Sequence, residues 1–200
     1  MSGFSDLQVD EDTLAAARGG DPRAQEGIYR SFSGPVYSLA LRLLGKRVQA
    51  EEVLQDTFVE ILSKLGEYRG ESPLGFWIRR ITLNKCLMFI RSPWYSRSTP
   101  LDAMEDGLPA DAYSPDRDSN ADALINQMAL ERALACLSQT SRMVVWLHDV
   151  EGYTHTEIAA HLGKTNSFSK TRLARAHSQL QALLDDRSIT EPCMQLLNNY

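Results

Sequence analysis

Leu54, Phe58, Ile61, Leu62 and Leu65 fall at i, i+4, i+7, i+8 and i+11, which makes one apolar stripe on a 3.6-residue period. The spacing predicts an amphipathic helix, and helical signals flank it on both sides. Upstream, Asp21-Pro22 puts a capping residue before a helix-starting proline. The helix that follows runs towards Leu44 through the nearly continuous apolar stretch Val36-Tyr37-Ser38-Leu39-Ala40-Leu41, with Gly45 as its stop. Downstream, Gly66, Gly70 and Pro73 punctuate a loop. A third helix then turns Leu74, Trp77, Ile78, Ile81 and Met88 inward and stops near Ser92-Pro93. The first half is therefore expected to be a helical bundle.

From Ser96 to about Asn120 the periodicity is lost, and Pro100, Pro109 and Pro115 stand among acids. Such a stretch reads as a solvated linker. Helical spacing resumes at Leu130, Ala133, Leu134 and Leu137, and a second apolar helix is expected over Met143 to Val150. The expected fold class is all-α, with two small helical domains joined by an acidic flexible linker.

Several function classes are disfavoured. Cys86, Cys136 and Cys193 are far apart and form no CxxC or Cys/His cluster, so they read as isolated reduced thiols. His155 and His161 are six residues apart and project from different faces of a helix. The chain carries no Gly-rich phosphate loop, nucleophile elbow or metal triad, and neither an enzymatic activity nor a cofactor is expected. No run approaches the ~18 apolar residues of a spanning helix. The polar, acidic stretch Met1 to Asp12 is unlike a secretion signal. A cytoplasmic protein without membrane insertion is the expectation.

The net charge of −5 looks unsuited to binding nucleic acid, but its distribution matters more than its sum. Residues 1–95 are neutral, 96–125 carry −5, 126–184 carry +2 and 185–200 carry −2. Two windows contain no acid. From Ser72 to Leu101 the charges are Arg79, Arg80, Lys85, Arg91 and Arg97; from Ile158 to Leu184 they are Lys164, Lys170, Arg172 and Arg175. Both are candidate phosphate-facing surfaces.

The second window lies in a helix-turn-helix pattern. Thr154 can cap a helix with Glu157 completing a capping box. Ala159 permits close approach of a second helix, and Gly163 permits the tight turn. The second helix displays Ser169, Lys170, Thr171, Arg172 and Arg175 while Leu173 and Leu180 face inward. Cationic donors near the start of an exposed helix reach guanine edges and phosphates in the major groove.

Ala129-Leu130-Glu131-Arg132-Ala133-Leu134, Val150-Glu151-Gly152-Tyr153, Glu157-Ile158-Ala159 and Lys170-Thr171-Arg172-Leu173 together resemble region 4 of extracytoplasmic-function (ECF) RNA polymerase sigma factors of the sigma-70 superfamily. Tyr29-Arg30, Tyr37 to Gly45, Ala50-Glu51-Glu52-Val53-Leu54-Gln55-Asp56-Thr57-Phe58, and Phe76-Trp77-Ile78-Arg79-Arg80-Ile81 with Asn84 resemble region 2. The organisation this implies is region 2 over 10–95, an acidic linker over 96–121, region 4 over 122–184 and a tail over 185–200.

The resemblance implies an alternative sigma factor that brings core RNA polymerase, through its beta and beta-prime subunits, to promoter DNA. An anti-sigma factor is an implied further partner. The competing reading is a sigma mimic that sequesters an anti-sigma factor. Glu51, Glu52, Gln55, Asp56 and Phe58 would dock on the polymerase, although Phe58 fits the core as well. Tyr68, Arg69, Trp77, Arg79, Arg80, Asn84 and Lys85 would meet the −10 element, with Arg79, Lys85 and Arg91 as phosphate contacts and Trp77 equally a buried anchor. Ser169, Lys170, Thr171, Arg172 and Arg175 would read the −35 element. The chain departs from the family at Phe168-Ser169, where a small polar residue followed by an apolar one is usual. The reversed order predicts a rotated start of the recognition helix.

Overall fold

The computed structural model describes Phe4, residues 7–92 and residues 129–185. The expected acidic linker and nearly all of the tail lie outside the described residues. The chain divides into two compact units, Met1–Phe89 and Ile90–Tyr200. Every regular element among the described residues is helical.

The first unit opens with α1 (Glu11–Arg18), α2 (Pro22–Leu44) and α3 (Arg47–Lys64). A single 3-10 turn, Leu65–Glu67, leads into a loop and then α4 (Leu74–Arg91). Local chemistry sets the ends. Asp10 caps α1 by accepting from the Thr13 amide and hydroxyl, each at 2.8 Å. Asp21 accepts from the Arg23 amide at 2.9 Å, with Pro22 in the first turn. At the far end of α2, Gly45 adopts φ 75°, and its amide donates to the Leu41 carbonyl at 2.8 Å. That left-handed cap suits glycine because no Cβ clashes there.

The core gathers Ile28, Phe32 and Val36 of α2 against Phe58, Ile61 and Leu65, against Leu74, Ile78 and Ile81 of α4, and against Leu14 and Ala17 of α1. Its burial holds α2 together through Pro35, which lacks the amide that would bond one turn back. The N-terminal segment also contributes, since Phe4, Leu7 and Val9 pack on the same core. Gly75 is the contact point: a Cβ there would overlap the Phe4 carbonyl.

Two expectations about inward faces are corrected in this unit. Met88 is 63% exposed. In the second half of α4 the buried set is Thr82, Leu83, Cys86, Leu87 and Ile90. At 3.6 residues per turn that set lies roughly two-fifths of a turn away from Leu74, Ile78 and Ile81, so a stripe extrapolated from Leu74 picks the wrong residue. Leu62 lies at the margin of its stripe and is also exposed.

The second unit contains α5 (129–135), α6 (Gln139–Val145), α7 (His155–Leu162) and α8 (Asn166–Asp185). Its buried apolar residues include Ala133, Leu134, Leu137, Met143, Val144, Leu147, Ile158, Ala159, Leu162, Leu173, Ala176 and Leu180. Leu130, which shares the helical spacing of Ala133, Leu134 and Leu137, is exposed. The helix expected over Met143–Val150 is α-helical only to Val145. It continues as a π-turn over Trp146–Val150, closed by the Glu151 amide donating to the Trp146 carbonyl at 3.1 Å. The Trp146 indole N–H also donates to the Glu151 carboxylate at 2.8 Å. One extra residue in the turn shifts where His148 and Asp149 point.

Candidate protein and nucleic-acid interfaces

The outward face of α3 is built by elimination. Val53, Thr57, Phe58 and Ile61 are buried, which leaves Glu51, Glu52, Gln55 and Asp56 exposed on the other side. The same outward face carries Val48, 76% exposed, and Val59, 70% exposed. With Glu52 and Gln55 these valines follow at i, i+4, i+7 and i+11, so the surface is an acidic strip flanked by two bare aliphatic residues. The signal for them was a second 3.6-residue stripe on the polar face. Phe58 does not belong to this surface. It is 5% exposed, and its ring meets Tyr29 in a tilted pair, 4.7 Å between centroids. Phe58 therefore packs α3 against α2 and is not part of the exposed acidic strip.

The loop before α4 is closed by its own hydrogen bonds. The Tyr68 hydroxyl donates to the Ser72 carbonyl at 2.6 Å, and Gly70 takes φ 74° to make the turn. Arg18 braces the loop from α1. Its guanidinium donates to the carbonyls of Leu65 (3.3 Å) and Tyr68 (2.5 Å) and lies 5.7 Å from the Tyr68 ring centre. Tyr68 and Trp77 then form a tilted aromatic pair, 5.4 Å between centroids. Both rings are half-buried against the core. Trp77 is thus at once an anchor and part of an accessible aromatic face.

Arg80 and Asn84 follow Trp77 at i+3 and i+7, and both are exposed. Arg69 is exposed in the loop, 3.9 Å from Glu71. Arg79 is half-buried and engaged within the protein, and Arg91 is exposed. Lys85 was expected to contact phosphate, but its Nζ lies 2.7 Å from Glu60 of α3. Lys64 holds the same carboxylate at 2.7 Å. Hydrogen bonds from Lys64 and then Lys85 keep the Glu60 carboxyl below its usual range. That two-lysine clamp ties α4 to α3 and removes Lys85 from the accessible cationic surface. The Arg18 brace and the Lys85–Glu60 pair are not legible in the sequence because each joins residues distant along the chain, unlike the local Lys64–Glu60 pair.

In the second unit, α7, Gly163 and α8 form the helix-turn-helix. The capping box closes as expected: the Thr154 amide donates to Glu157 at 2.8 Å, and the Glu157 amide donates back to the Thr154 hydroxyl at 3.3 Å. The Thr154 hydroxyl, which donates to the Glu157 carboxylate at 2.7 Å, and then the Thr154 amide lower the Glu157 pKa. Gly163 takes φ 65°, and across the turn the Asn166 side-chain amide donates to the Thr156 hydroxyl at 3.0 Å. On α8, Lys170, Thr171 and Arg175 are exposed and Arg172 is half-buried.

Ser169 departs from expectation, being fully buried. Its hydroxyl is hydrogen-bonded to His155 Nδ1 at 3.1 Å, so it faces α7 and cannot meet a base edge. His155 begins a chain of polar contacts. Its ring stacks on His148 at 4.7 Å. His148 bonds Asp149 at 2.8 Å, and the other Asp149 oxygen bonds His177 of α8 at 2.7 Å. Burial works to raise the Asp149 pKa, but the hydrogen bonds from His177 and His148 prevail and lower it.

Desolvation, with the nearby charges of His148 and Lys170, depresses the His155 pKa. The unfolded chain therefore binds a proton at His155 more readily than the folded one. Stability from this group is full above about pH 6.5 and is lost as pH falls from there to the lowered folded value. Asp149 titrates in a separate, more acidic window. Amide hydrogen exchange across α8, corrected for intrinsic rates, should show weaker protection at pH 5.5 than at pH 7.5. His155→Gln should flatten the difference. Equal pH dependence in both proteins would remove His155 as its source.

Residues 28–94 match the family described as Sigma-70 region 2, and residues 127–180 match Sigma-70, region 4. The chain is 29% identical to the ECF RNA polymerase sigma factor SigM of Mycobacterium tuberculosis, over 88% of this chain and 84% of that one. It is 32% identical to the ECF RNA polymerase sigma factor SigE of Mycolicibacterium smegmatis, over 80% of this chain and 62% of that protein's length. Among solved structures it resembles the sigma factor RpoE from Bartonella quintana, crystallised in complex with the anti-sigma factor NepR. That match has a TM-score of 0.50 and 23% identity, over 80% of this chain and 96% of the other. This likeness concerns the fold. Among the described residues no helix is long and apolar enough to cross a membrane.

Proposed function

The chain belongs to the sigma-70 family, among its ECF sigma factors, and from that premise we propose how its two units divide the work of promoter recognition. Sigma factors are transcription regulators rather than enzymes, so binding energy does the work. This chain is an alternative sigma factor that directs core RNA polymerase to specific promoters. The observation that carries the residue-level reading is the presence, in one chain and in order, of an acidic α3 face beside an aromatic loop and a helix-turn-helix with a cationic second helix.

In this reading Glu51, Glu52, Gln55 and Asp56, flanked by Val48 and Val59, dock on core polymerase. Tyr68 and Trp77 offer rings on which unstacked −10 bases rest, a contact of about 1–3 kcal/mol per base. Arg80 and Asn84, at i+3 and i+7 from Trp77 on α4, and Arg69 of the loop hold the strand by phosphate and base-edge contacts. Lys170, Thr171, Arg172 and Arg175 read the −35 duplex in the major groove. The domain limits follow the same division: 10–95, a linker over 96–121, 122–184 and a tail. Since transcription is where it acts, the protein works in the cytoplasm. The exposed α3 face and α8 cations are also the surfaces an anti-sigma factor would cover to silence it. The same exposed cations favour this reading over a decoy, which has no use for them.

Combined Lys170→Ala and Arg172→Ala substitution tests the assignment of α8. Transcription that depends on the −35 element should be lost while affinity for core polymerase is unchanged. The slope of log affinity for duplex against log salt should shrink by about two, close to one per lost phosphate contact. Unaltered promoter choice would show that α8 does not read DNA.

A further inference from the structure

Phe168 is absent from the set of DNA-reading residues above, and its surroundings give it a role. The reversed Phe168-Ser169 order predicts a rotated start of the recognition helix, yet the buried face of α8 keeps one phase from its first turn onward. Ser169, Leu173, Ala176 and Leu180 are all buried, at i, i+4, i+7 and i+11. Ser169 fills the inward slot, where His155 satisfies its hydroxyl at 3.1 Å. Held in that register, Phe168 is turned out of the core onto the flank that also carries Arg172 and Arg175, at i+4 and i+7. Its amide is fixed by the Thr165 hydroxyl at 3.1 Å.

The half-buried ring is not isolated on this flank. Lys164 Nζ lies 5.6 Å from its centre and Arg172 Cζ 5.1 Å. Cations over an aromatic face hold it by electrostatic attraction to the ring quadrupole. Phe168 is thus an apolar plate between two side chains suited to phosphate and guanine contact. A phenyl ring cannot exchange hydrogen bonds with base edges. The group in the major groove that it complements is the thymine C5 methyl.

We infer that Phe168 is a specificity-determining residue of the recognition helix, meeting a thymine methyl in the −35 element between the contacts made by Lys164 and Arg172. The inference rests on the reading of α8 as the −35 reader. It assigns one position of that element to apolar rather than hydrogen-bonded recognition.

The test replaces thymine by deoxyuridine, which removes the methyl and leaves pairing intact. Full-length protein with core polymerase is first used to enrich duplexes from a library randomised over the −35 region. Each thymine of the enriched sequence is then exchanged singly and affinity measured. Wild type should lose about fourfold at one position, the scale for one buried methyl-sized group. Phe168→Ala should bind thymine and deoxyuridine duplexes alike there, and Phe168→Leu, which stays apolar, should keep part of the discrimination. Circular dichroism verifies that each variant is folded.

Equal deoxyuridine sensitivity in wild type and Phe168→Ala overturns the inference and leaves α8 as a −35 reader. Weakened binding of Phe168→Ala to core polymerase without DNA, with the deoxyuridine effect unchanged, also overturns it and reassigns the ring to a protein contact. If wild type enriches no −35 sequence, the reading of α8 fails first and the inference with it.

Discussion

Asp56→Arg is expected to weaken binding to core RNA polymerase by roughly thirtyfold, about 2 kcal/mol, while the protein stays folded. Asp56 is exposed on α3, whereas the adjacent Thr57 and Phe58 are buried. A change at position 56 therefore need not disturb the core. Glu52 and Glu60 stand four residues to either side, so an arginine there gains rather than loses helical ion-pair partners. A loss of affinity can then be assigned to the interface and not to unfolding. Charge reversal should act at the centre of an acidic strip, where like charges meeting across an interface cost several kcal/mol. Titration of labelled core polymerase with wild type and variant, alongside thermal unfolding of each, checks both halves. Unchanged affinity would remove Asp56 from the interface.

The largest expected effect on stability comes from a residue with no role in recognition. Arg142 is buried in the second unit. Its Nε donates to the Leu134 carbonyl at 2.9 Å, and one terminal nitrogen donates to Ala135 at 2.9 Å and Leu137 at 3.1 Å. These carbonyls lie at and just beyond the C-terminal end of α5, where acceptors run short of helical amides; of the three, Leu134 also accepts from the Leu137 amide at 3.2 Å. A cation there also complements the helix dipole. Arg142→Leu keeps apolar bulk but removes the guanidinium from the Ala135 and Leu137 carbonyls, at about 3 kcal/mol. For a unit of this size the unfolding midpoint should fall by roughly 15 °C. Arg142→Lys should lie between the two, since an ammonium cannot reproduce the planar fork. A shift of only a few degrees in Arg142→Leu would show that water replaces the guanidinium.

Features set by neighbours along the chain were legible in the sequence. Asp21-Pro22, Gly45, the Thr154/Glu157 box and Gly163 mark helix ends through bonds spanning two to four residues, and each caps where expected. Features set by partners far along the chain were not. Burial of Ser169 depends on His155, fourteen residues away, and Asp149 joins His177 across twenty-eight. The Lys85–Glu60 clamp and the Arg18 brace on Tyr68 likewise exist only once helices are packed. Met88 failed for a related reason, because the buried face of α4 rotates along the helix. Pro35 marks the opposite limit: the breaker was local, and tertiary burial overrode it. The candidate surfaces were legible where exposure follows from helical phase, as for Glu51, Glu52, Gln55 and Asp56. They were misread where a polar residue had found an internal partner.

Promoter recognition by this chain is read out by transcription in vitro from fragmented genomic DNA by core polymerase, with and without the full-length chain. Discrete new start sites should appear only with the protein and share two upstream elements at fixed spacing. Absence of new transcripts together with absence of binding to core polymerase would contradict promoter recognition by this chain.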